Sequence, residues 1–170
     1  YSRFRVLVKL LSKFSSNGLI KLADVGCGYG ELLTFLNKEK IKYIYEGYDI
    51  NKMMIKYCKK KFKHQNFFLK NYPIYGCDIS VMSGTYNYAV TDDVVSWENY
   101  ILHNLIKCFK TSNFGIVFNL QFFKSRVIKN NIYYTEITYM LNLLKHNFNH
   151  VEKFNTKDLK NDVFFIIYKN

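Results

Sequence analysis

The residues with the clearest chemical potential are three glycines at alternating positions, Gly26, Gly28 and Gly30, which follow a short apolar stretch. Glycine permits a sharp turn with positive φ and lets bare backbone approach a ligand closely. At a strand-to-helix junction, such a loop lies at the carboxyl edge of a parallel sheet, where α/β proteins bind their ligands. The pattern therefore predicts a ligand-binding loop.

The spacing of these glycines distinguishes between ligands. The dinucleotide fingerprint is G-x-G-x-x-G and the phosphate loop is G-x-x-x-x-G-K-[ST], whereas this chain has G-x-G-x-G with no Lys-Ser/Thr pair after it. Asp49 ends the next predicted strand, where a carboxylate can accept hydrogen bonds from both hydroxyls of an adenosine ribose. Asn51 can cap the helix that follows, which leaves Asp49 available to a ligand.

The secondary-structure elements predicted around these residues alternate between strand and helix along the chain. Such alternation is typical of βαβ units in a parallel sheet, and a polar connection without a helix joins the last two strands, which favours an antiparallel hairpin. We predict an α/β fold of three αβα layers, with a seven-stranded, mostly parallel sheet and an antiparallel C-terminal hairpin. The predicted strands are 19–25, 42–50, 66–69, 78–84, 114–120, 150–154 and 163–169; the predicted helices are 3–14 (stopped by 15–18), 30–39, 51–62, 94–110 and 135–148; a basic loop is predicted over 121–131.

Three motifs carry a resemblance to a known family: D-x-G-C-G-Y-G from Asp24 to Gly30, the strand end GYDIN at 47–51, and SGTYNY at 83–88. Together with a W-x-x-Y pair, Trp97 and Tyr100, they resemble class I S-adenosylmethionine-dependent methyltransferases, in particular small members whose fourth strand ends in S-G-x-x-N. The likeness extends over essentially the whole chain. It implies a Rossmann-like methyltransferase fold, S-adenosylmethionine as cofactor and methyl transfer to a small-molecule acceptor.

The resemblance also implies roles for particular residues. Asp24 and the glycine loop would bind the methionine end of the cofactor. Asp49 would bind the ribose, and Ile50 would pack on the adenine. Asn71 stands where the family usually has an acid that receives the adenine amino group, and its amide carbonyl can accept that hydrogen bond. The implied cofactor-binding residues are Asp24, Gly26, Cys27, Gly28, Tyr29, Gly30, Asp49, Ile50, Asn71, Tyr72, Ser83 and Gly84, and the implied substrate-positioning residues are Tyr86, Asn87 and Tyr88.

A sulfonium methyl is already a strong electrophile, so the protein's main task is to hold a nucleophile in line with it and to exclude water. No histidine has a paired acid at recognisable spacing, and we assign no catalytic base. The chain has neither an N/D-P-P-Y/F stretch nor a Pro-Cys pair, which argues against methylation of amino groups on adenine or glutamine and of cytosine C5. Trp97 and Tyr100, three residues apart, favour a helix core over a substrate wall.

The net charge of +12 raises the possibility of a nucleic-acid partner, but only three of the 25 Lys and Arg residues are Arg. Arginine forms bidentate hydrogen bonds with phosphate and guanine better than lysine does. We therefore interpret most of the positive charge as a solvated exterior. Two alternatives to a small-molecule enzyme stay open: an RNA methyltransferase, if basic residues gather around the pocket, and a cofactor-binding regulatory domain without turnover. The loop 121–126 suits a lid or an anionic acceptor.

Length and composition predict one domain over 1–170, divided into an N-terminal helix (1–14), a cofactor-binding core (15–120) and a C-terminal helix and hairpin (121–170). Because the first residue is Tyr1 and not Met, we expect the protein to extend upstream. The four cysteines show no C-x-x-C pair or metal-ligand spacing, which predicts reduced thiols, no metal site and a cytoplasmic protein. Apolar runs are far shorter than the roughly 20 residues that cross a bilayer, so we expect no membrane partner.

Overall fold

The computed structural model describes residues 2–14, 19–157 and 159–169, and within these ranges it contains five α-helices and one nine-stranded sheet. The helices are α1 Ser2–Leu11 (followed by a 3₁₀ turn, Ser12–Phe14), α2 Glu31–Lys38, α3 Lys52–Lys61, α4 Val94–Thr111 and α5 Ile137–Asn147. The strands are β1 Lys21–Val25, β2 Ile44–Asp49, β3 Asn66–Leu69, β4 Cys77–Met82, β5 Ser112–Phe122, β6 Val127–Lys129, β7 Ile132–Thr135, β8 His150–Asn155 and β9 Asp162–Tyr168.

The sheet is parallel through its centre and antiparallel at its C-terminal end. Strands pair in the order β3-β2-β1-β4-β5, all parallel, while β9 pairs antiparallel with β5 and β8 pairs antiparallel with β9. The predicted α/β class, the parallel sheet and the closing antiparallel hairpin are confirmed. The carboxyl ends of β1, β2, β3 and β4 therefore lie at one edge, where the predicted site residues follow them.

Helices cover both faces of the sheet. Neighbouring residues of β9 point to opposite faces: Phe165 belongs to a core that includes Leu105 of α4 and Leu144 of α5, and Phe164 belongs to a core with residues of α1, α2 and α3 such as Leu7. This is the predicted three-layer arrangement. The expected stop of the first helix at 15–18 lies outside the described residues.

The region predicted as a basic loop over 121–131 is in part strand, and only 123–126 and the turn 130–131 lie outside strands. Strand β5 continues to Phe122, and β6 and β7 form a hairpin, so the predicted count of seven strands is two short among the described residues. The two-residue turn is Asn130-Asn131, and both residues have positive φ, 50° and 61°. Asparagine tolerates this conformation, which matches the twist of a tight hairpin; this pair was not predicted as a turn.

Helix α3 begins where its cap was predicted. The Asn51 side-chain oxygen accepts hydrogen bonds from the backbone N–H groups of Met53 (2.9 Å) and Met54 (3.3 Å), which satisfies two free donors of the first turn. The connection 70–76 between β3 and β4 is described throughout and contains no helix. None of the helices in the described ranges has the length and apolar character needed to cross a bilayer.

Candidate functional site

A cavity of about 700 Å³ opens at the carboxyl edge of the sheet. Its volume falls in the range of roughly 300–1,000 Å³ that is typical of small-molecule and cofactor sites. The ends of β1, β2 and β3, the segment after β4 and the first turns of α3 and α4 form its walls. The lining residues are Val25, Gly26, Gly28, Asp49, Ile50, Asn51, Met54, Asn71, Thr85, Tyr86, Tyr88, Val90, Thr91, Ser96, Trp97 and Tyr100.

The glycine loop contributes bare backbone to this cavity. Gly28 has φ +55°, and a Cβ atom added there would meet no atom within 4 Å, so open space lies beside it. At Gly26, with φ +75°, an added Cβ would lie 2.4 Å from Cγ2 of Thr85, whose hydroxyl donates to the Val25 carbonyl at 2.7 Å. Gly26 is therefore required by packing, whereas the space beside Gly28 is a cradle that a ligand can occupy.

Asp49 connects this loop to helix α3. Its Oδ2 accepts a hydrogen bond from the Gly28 N–H at 2.9 Å, and its Oδ1 accepts one from the Asn51 N–H at 2.8 Å. A carboxylate oxygen has two lone pairs, so each oxygen can accept a further bond. Because Asp49 also lines the cavity, it presents an acceptor pair that suits a vicinal diol.

Asn71, which follows β3, presents an amide oxygen to the cavity. Asn104 is oriented by its Nδ2, which donates to the Tyr100 carbonyl at 2.8 Å. Its Oδ1 must then accept from Nδ2 of Asn71, at 2.7 Å. The amide orientation of Asn71 follows from this chain of bonds, and its Oδ1 is left to accept a hydrogen bond from a ligand amino group.

Aromatic side chains of α4 and of the segment after β4 form a further part of the cavity wall. The Trp97 and Tyr100 rings stack with centroids 5.0 Å apart, and the Trp97 indole N–H donates to the Tyr86 carbonyl at 3.0 Å. Trp97 is buried in the α4 core, as predicted, yet it also lines the cavity. At the cavity mouth Tyr88 is 60% exposed and Val90 is 75% exposed.

The hairpin β6–β7 supports this mouth from behind. The Ala89 N–H donates to the Asn131 carbonyl and the Tyr133 N–H donates to the Asn87 carbonyl, both at 2.8 Å. The hairpin is in turn fixed to α4, because the Tyr133 hydroxyl donates to the buried Glu98 carboxylate at 2.7 Å. Tyr88 therefore stands on backbone that is held on both sides.

Several loop residues predicted to bind the cofactor do not line the cavity. Asp24 is buried and accepts the Tyr45 hydroxyl at 2.6 Å, and Cys27 is buried. Tyr29 is half exposed with its ring edge against Tyr57. Gly30 is the N-cap residue of α2 and lies against the ring of Phe62. Outside the glycine loop, the Tyr72 ring contacts the Lys107 ammonium, whose Nζ is 4.6 Å from the ring centre.

Three predicted residues after β4 lie behind the cavity wall. The Gly84 N–H donates to Oδ1 of Asn119 at 2.7 Å, and Oδ1 of Asn87 accepts from the Gln121 N–H at 3.0 Å. These bonds hold the segment against β5. The Ser83 hydroxyl is buried without a hydrogen-bond partner among the described residues.

The structure also brings in residues that the sequence analysis did not select. Met54 lies in the first turn of α3, and Ser96 lies in the first turn of α4 beside Trp97. Met54 is near the carboxyl end of β2, which is a signal that could have identified it, whereas Ser96 is separated from the end of β4 by the segment 83–93 and no local signal points to it. The lining residues that were not singled out from the sequence are Val25, Met54, Thr85, Val90, Thr91 and Ser96, while Asn51 was predicted only as a helix cap and Trp97 and Tyr100 as helix core.

Burial raises the pKa of Asp24 to about 7; the Tyr45 hydroxyl opposes this shift and the nearby Asp49 charge adds to it. The unfolded chain releases the same proton near the ordinary value of 3.8. The folded protein therefore binds more protons than the unfolded chain between these values, and its stability falls as pH rises through this window.

We expect Asp24→Asn to remove this pH dependence. An amide at this position cannot ionise, and its oxygen can still accept the Tyr45 hydroxyl. The free energy of unfolding of the unmodified protein should fall by about 3 kcal/mol more than that of the variant between pH 5 and pH 8, since one unit of pKa shift is worth about 1.4 kcal/mol. Urea unfolding at both pH values measures this; parallel pH profiles would exclude Asp24 as the titrating group.

Comparison with known proteins gives one family and one fold. The model of the methyltransferase small domain matches residues 5–91, a range that contains every predicted site residue. The structure is similar to magnesium protoporphyrin IX methyltransferase from Synechocystis PCC 6803 (13% identity, 99% of this chain and 79% of that chain, TM-score 0.68). It is also similar to the methyltransferase domain of bacterial CtHen1 (15%, 98% and 97%, 0.71) and to an S-adenosylmethionine-dependent methyltransferase from Clostridium acetobutylicum ATCC 824 (10%, 99% and 91%, 0.68). No curated protein matches the sequence.

Proposed function

We propose that this chain, which belongs to the methyltransferase small domain family, transfers a methyl group from S-adenosylmethionine to a small-molecule acceptor by in-line displacement. The observation that carries the proposal is that Gly28, Asp49 and Asn71 line one cavity. These residues offer open backbone, a carboxylate and an amide oxygen to one ligand. The cofactor supplies an electrophilic sulfonium methyl when bound.

The cofactor-binding residues follow from the chemistry of these groups. The backbone at Gly28 leaves room for the amino-acid end, and the lone pairs of Asp49 accept the ribose hydroxyls. The Asn71 amide oxygen accepts the adenine amino group. Ile50 is 68% exposed beside Asp49, and its side chain would be covered by the adenine ring.

A small, uncharged acceptor fits the aromatic part of the cavity wall better than RNA does. None of the described lining residues is Lys, Arg or His, although RNA binding depends on such groups around the site. Arg126, in the loop expected to meet an anion, pairs with Glu98 at 2.7 Å and lies 3.8 Å from the centre of the Tyr139 ring. We therefore place the acceptor against Tyr88, Val90 and the Trp97–Tyr100 stack.

The chain's contribution to the reaction is positioning. The lining residues of the described cavity include no His, Lys or Glu, and the one carboxylate there, Asp49, already accepts two backbone N–H groups. The aromatic wall orients the acceptor and keeps water from the reacting atoms, which is an effect of proximity and of exclusion of solvent.

The proposal is tested by methyl transfer with isotopically labelled cofactor. The protein is incubated with the small-molecule fraction and, separately, with the RNA fraction of a cell extract. We expect label in the small-molecule fraction. Label only in RNA would overturn the acceptor assignment, and failure of S-adenosylhomocysteine to bind in calorimetry would overturn the cofactor assignment as well.

We expect Tyr88→Ala to impair the acceptor and leave the cofactor unaffected. Loss of an exposed aromatic face removes contact area at the cavity mouth, so kcat/KM for the acceptor should fall about tenfold while the Kd of S-adenosylhomocysteine stays constant. Tyr139→Ala, a change of another partly exposed tyrosine outside the cavity, is the control. A parallel loss of cofactor affinity in Tyr88→Ala would contradict the assignment.

A further inference from the structure

Arg3, on the first turn of α1, lies against the turn that follows β4. Its Nη1 is 2.9 Å from the position that a Cβ atom would occupy on Gly84. Its Nη2 donates to both carboxylate oxygens of Asp162, each at 3.2 Å. The Asp162 side chain is 8% exposed and that of Arg3 is 34% exposed. A helix from the start of the chain is therefore part of this edge of the sheet.

A chain of hydrogen bonds joins this ion pair to the turn. Oδ1 of Asp162 accepts from Nδ2 of Asn119, and Oδ1 of Asn119 accepts from the Gly84 N–H at 2.7 Å. Gly84 has φ +77°, a conformation that favours glycine. The guanidinium of Arg3 and the backbone of Gly84 are thus held side by side.

The guanidinium uses only part of its donor set. Five N–H groups are available on an arginine, and Nη2 carries both bonds to Asp162. The Nε atom is buried and has no hydrogen-bond partner among the described residues. A buried donor without a partner costs free energy, so an acceptor supplied by a ligand would complete this group.

The position of Arg3 relates it to the glycine loop. Gly84 is followed by Thr85, whose hydroxyl donates to the Val25 carbonyl and whose methyl group lies where a side chain on Gly26 would be. The first turn of α1 also contacts α2, since the Phe4 and Phe35 rings lie 5.7 Å apart. Arg3 therefore lies next to Gly84 and Thr85, the segment that packs against the glycine loop, which is proposed to hold the methionine end of the cofactor.

We propose that Arg3 binds the carboxylate of the cofactor's methionine moiety through donors that Asp162 does not use. The inference rests on the proposed function and extends it to a residue outside the cavity wall. Arginine suits this role because its planar fork can serve two carboxylates from different edges. A carboxylate on the acceptor has the same chemistry, and the experiment separates the two sources.

The test compares two ligands that differ in the amino-acid portion. S-adenosylhomocysteine carries the carboxylate, whereas 5′-methylthioadenosine has the same adenosine thioether without it. We expect Arg3→Met to weaken S-adenosylhomocysteine binding about tenfold to hundredfold, as for loss of a charged hydrogen bond, and to leave the Kd of 5′-methylthioadenosine unchanged. Arg5→Met, an exposed arginine of the same helix, should change neither value.

Arg3→Met leaves Asp162 buried without its cation, which is destabilising. Arg3→Lys keeps a cation beside Asp162, but one ammonium lacks the fork needed for a second carboxylate; we expect a smaller, still selective loss of S-adenosylhomocysteine affinity. Isothermal calorimetry of both variants decides the question.

Equal losses for both ligands would show that Arg3 only supports the turn, and unchanged affinities with a raised KM for the acceptor would assign it to an acceptor carboxylate. Unchanged affinities with an unchanged KM would leave Arg3 without a role in either ligand. Each of these results overturns the proposal. If the unmodified protein binds neither ligand, the proposed function fails independently of Arg3.

Discussion

Asp49→Ala is expected to weaken S-adenosylhomocysteine binding by about a hundredfold or more. The variant loses a charged acceptor for two ribose hydroxyls, and hydrogen bonds to charged groups are worth about 1.5–3 kcal/mol each. It also releases the Gly28 and Asn51 N–H groups, which the carboxylate holds at 2.9 and 2.8 Å. The glycine loop then loses the hydrogen bonds through which Asp49 connects it to the start of α3. Ligand binding must therefore also order the loop, which lowers affinity further. Isothermal calorimetry measures the change.

The control for this prediction is a second carboxylate at the opposite end of the sheet. Asp78, near the start of β4, accepts hydrogen bonds from the Lys21 N–H and the Asn113 side-chain amide, both at 2.9 Å. Asp78→Asn should affect stability and leave cofactor affinity unchanged. Asp49→Asn separates the two roles of Asp49, because one oxygen remains to accept a backbone N–H while the charge is lost. Equal affinities of the unmodified protein and Asp49→Ala would refute the ribose assignment.

The predictable part of the fold is the part that local chemistry determines. Asn51 follows the apolar run of β2 and caps α3, as its position predicts. The hairpin β6–β7 was missed because its signal is not apolar alternation but a pair of asparagines, Asn130 and Asn131, in the left-handed conformation. Its pairing with the end of β5 is a tertiary contact, which no local pattern specifies.

The predictable part of the site is its backbone. Alternation along a loop predicts that glycines face a ligand, and Gly26 and Gly28 do line the cavity. The residues between them were expected to join the cradle, but Cys27 and Tyr29 turn to the protein and to solvent respectively. The aromatic wall could not be predicted, because helical spacing of Trp97 and Tyr100 fits a core as well as a cavity, and Trp97 serves both.

Alanine substitutions at two glycines of one loop should have different effects, on stability at Gly26 and on ligand affinity at Gly28. At Gly26 an added Cβ would meet Thr85 at 2.4–2.9 Å, and φ is +75°. Overpacking costs about 1–3 kcal/mol and the left-handed conformation about 1–2 kcal/mol, so we expect Gly26→Ala to lower the free energy of unfolding by about 2–5 kcal/mol. Urea unfolding measures this loss.

At Gly28 the same change meets open space and carries only the conformational cost, about 1–2 kcal/mol. The added methyl group would instead fill the cradle beside Asp49, so Gly28→Ala should weaken S-adenosylhomocysteine binding more than tenfold while the protein stays folded. The pair separates packing from ligand contact within three residues. If Gly28→Ala binds the ligand as well as the unmodified protein does, the space beside Gly28 is not occupied by the cofactor, and the cradle must lie elsewhere along the cavity wall.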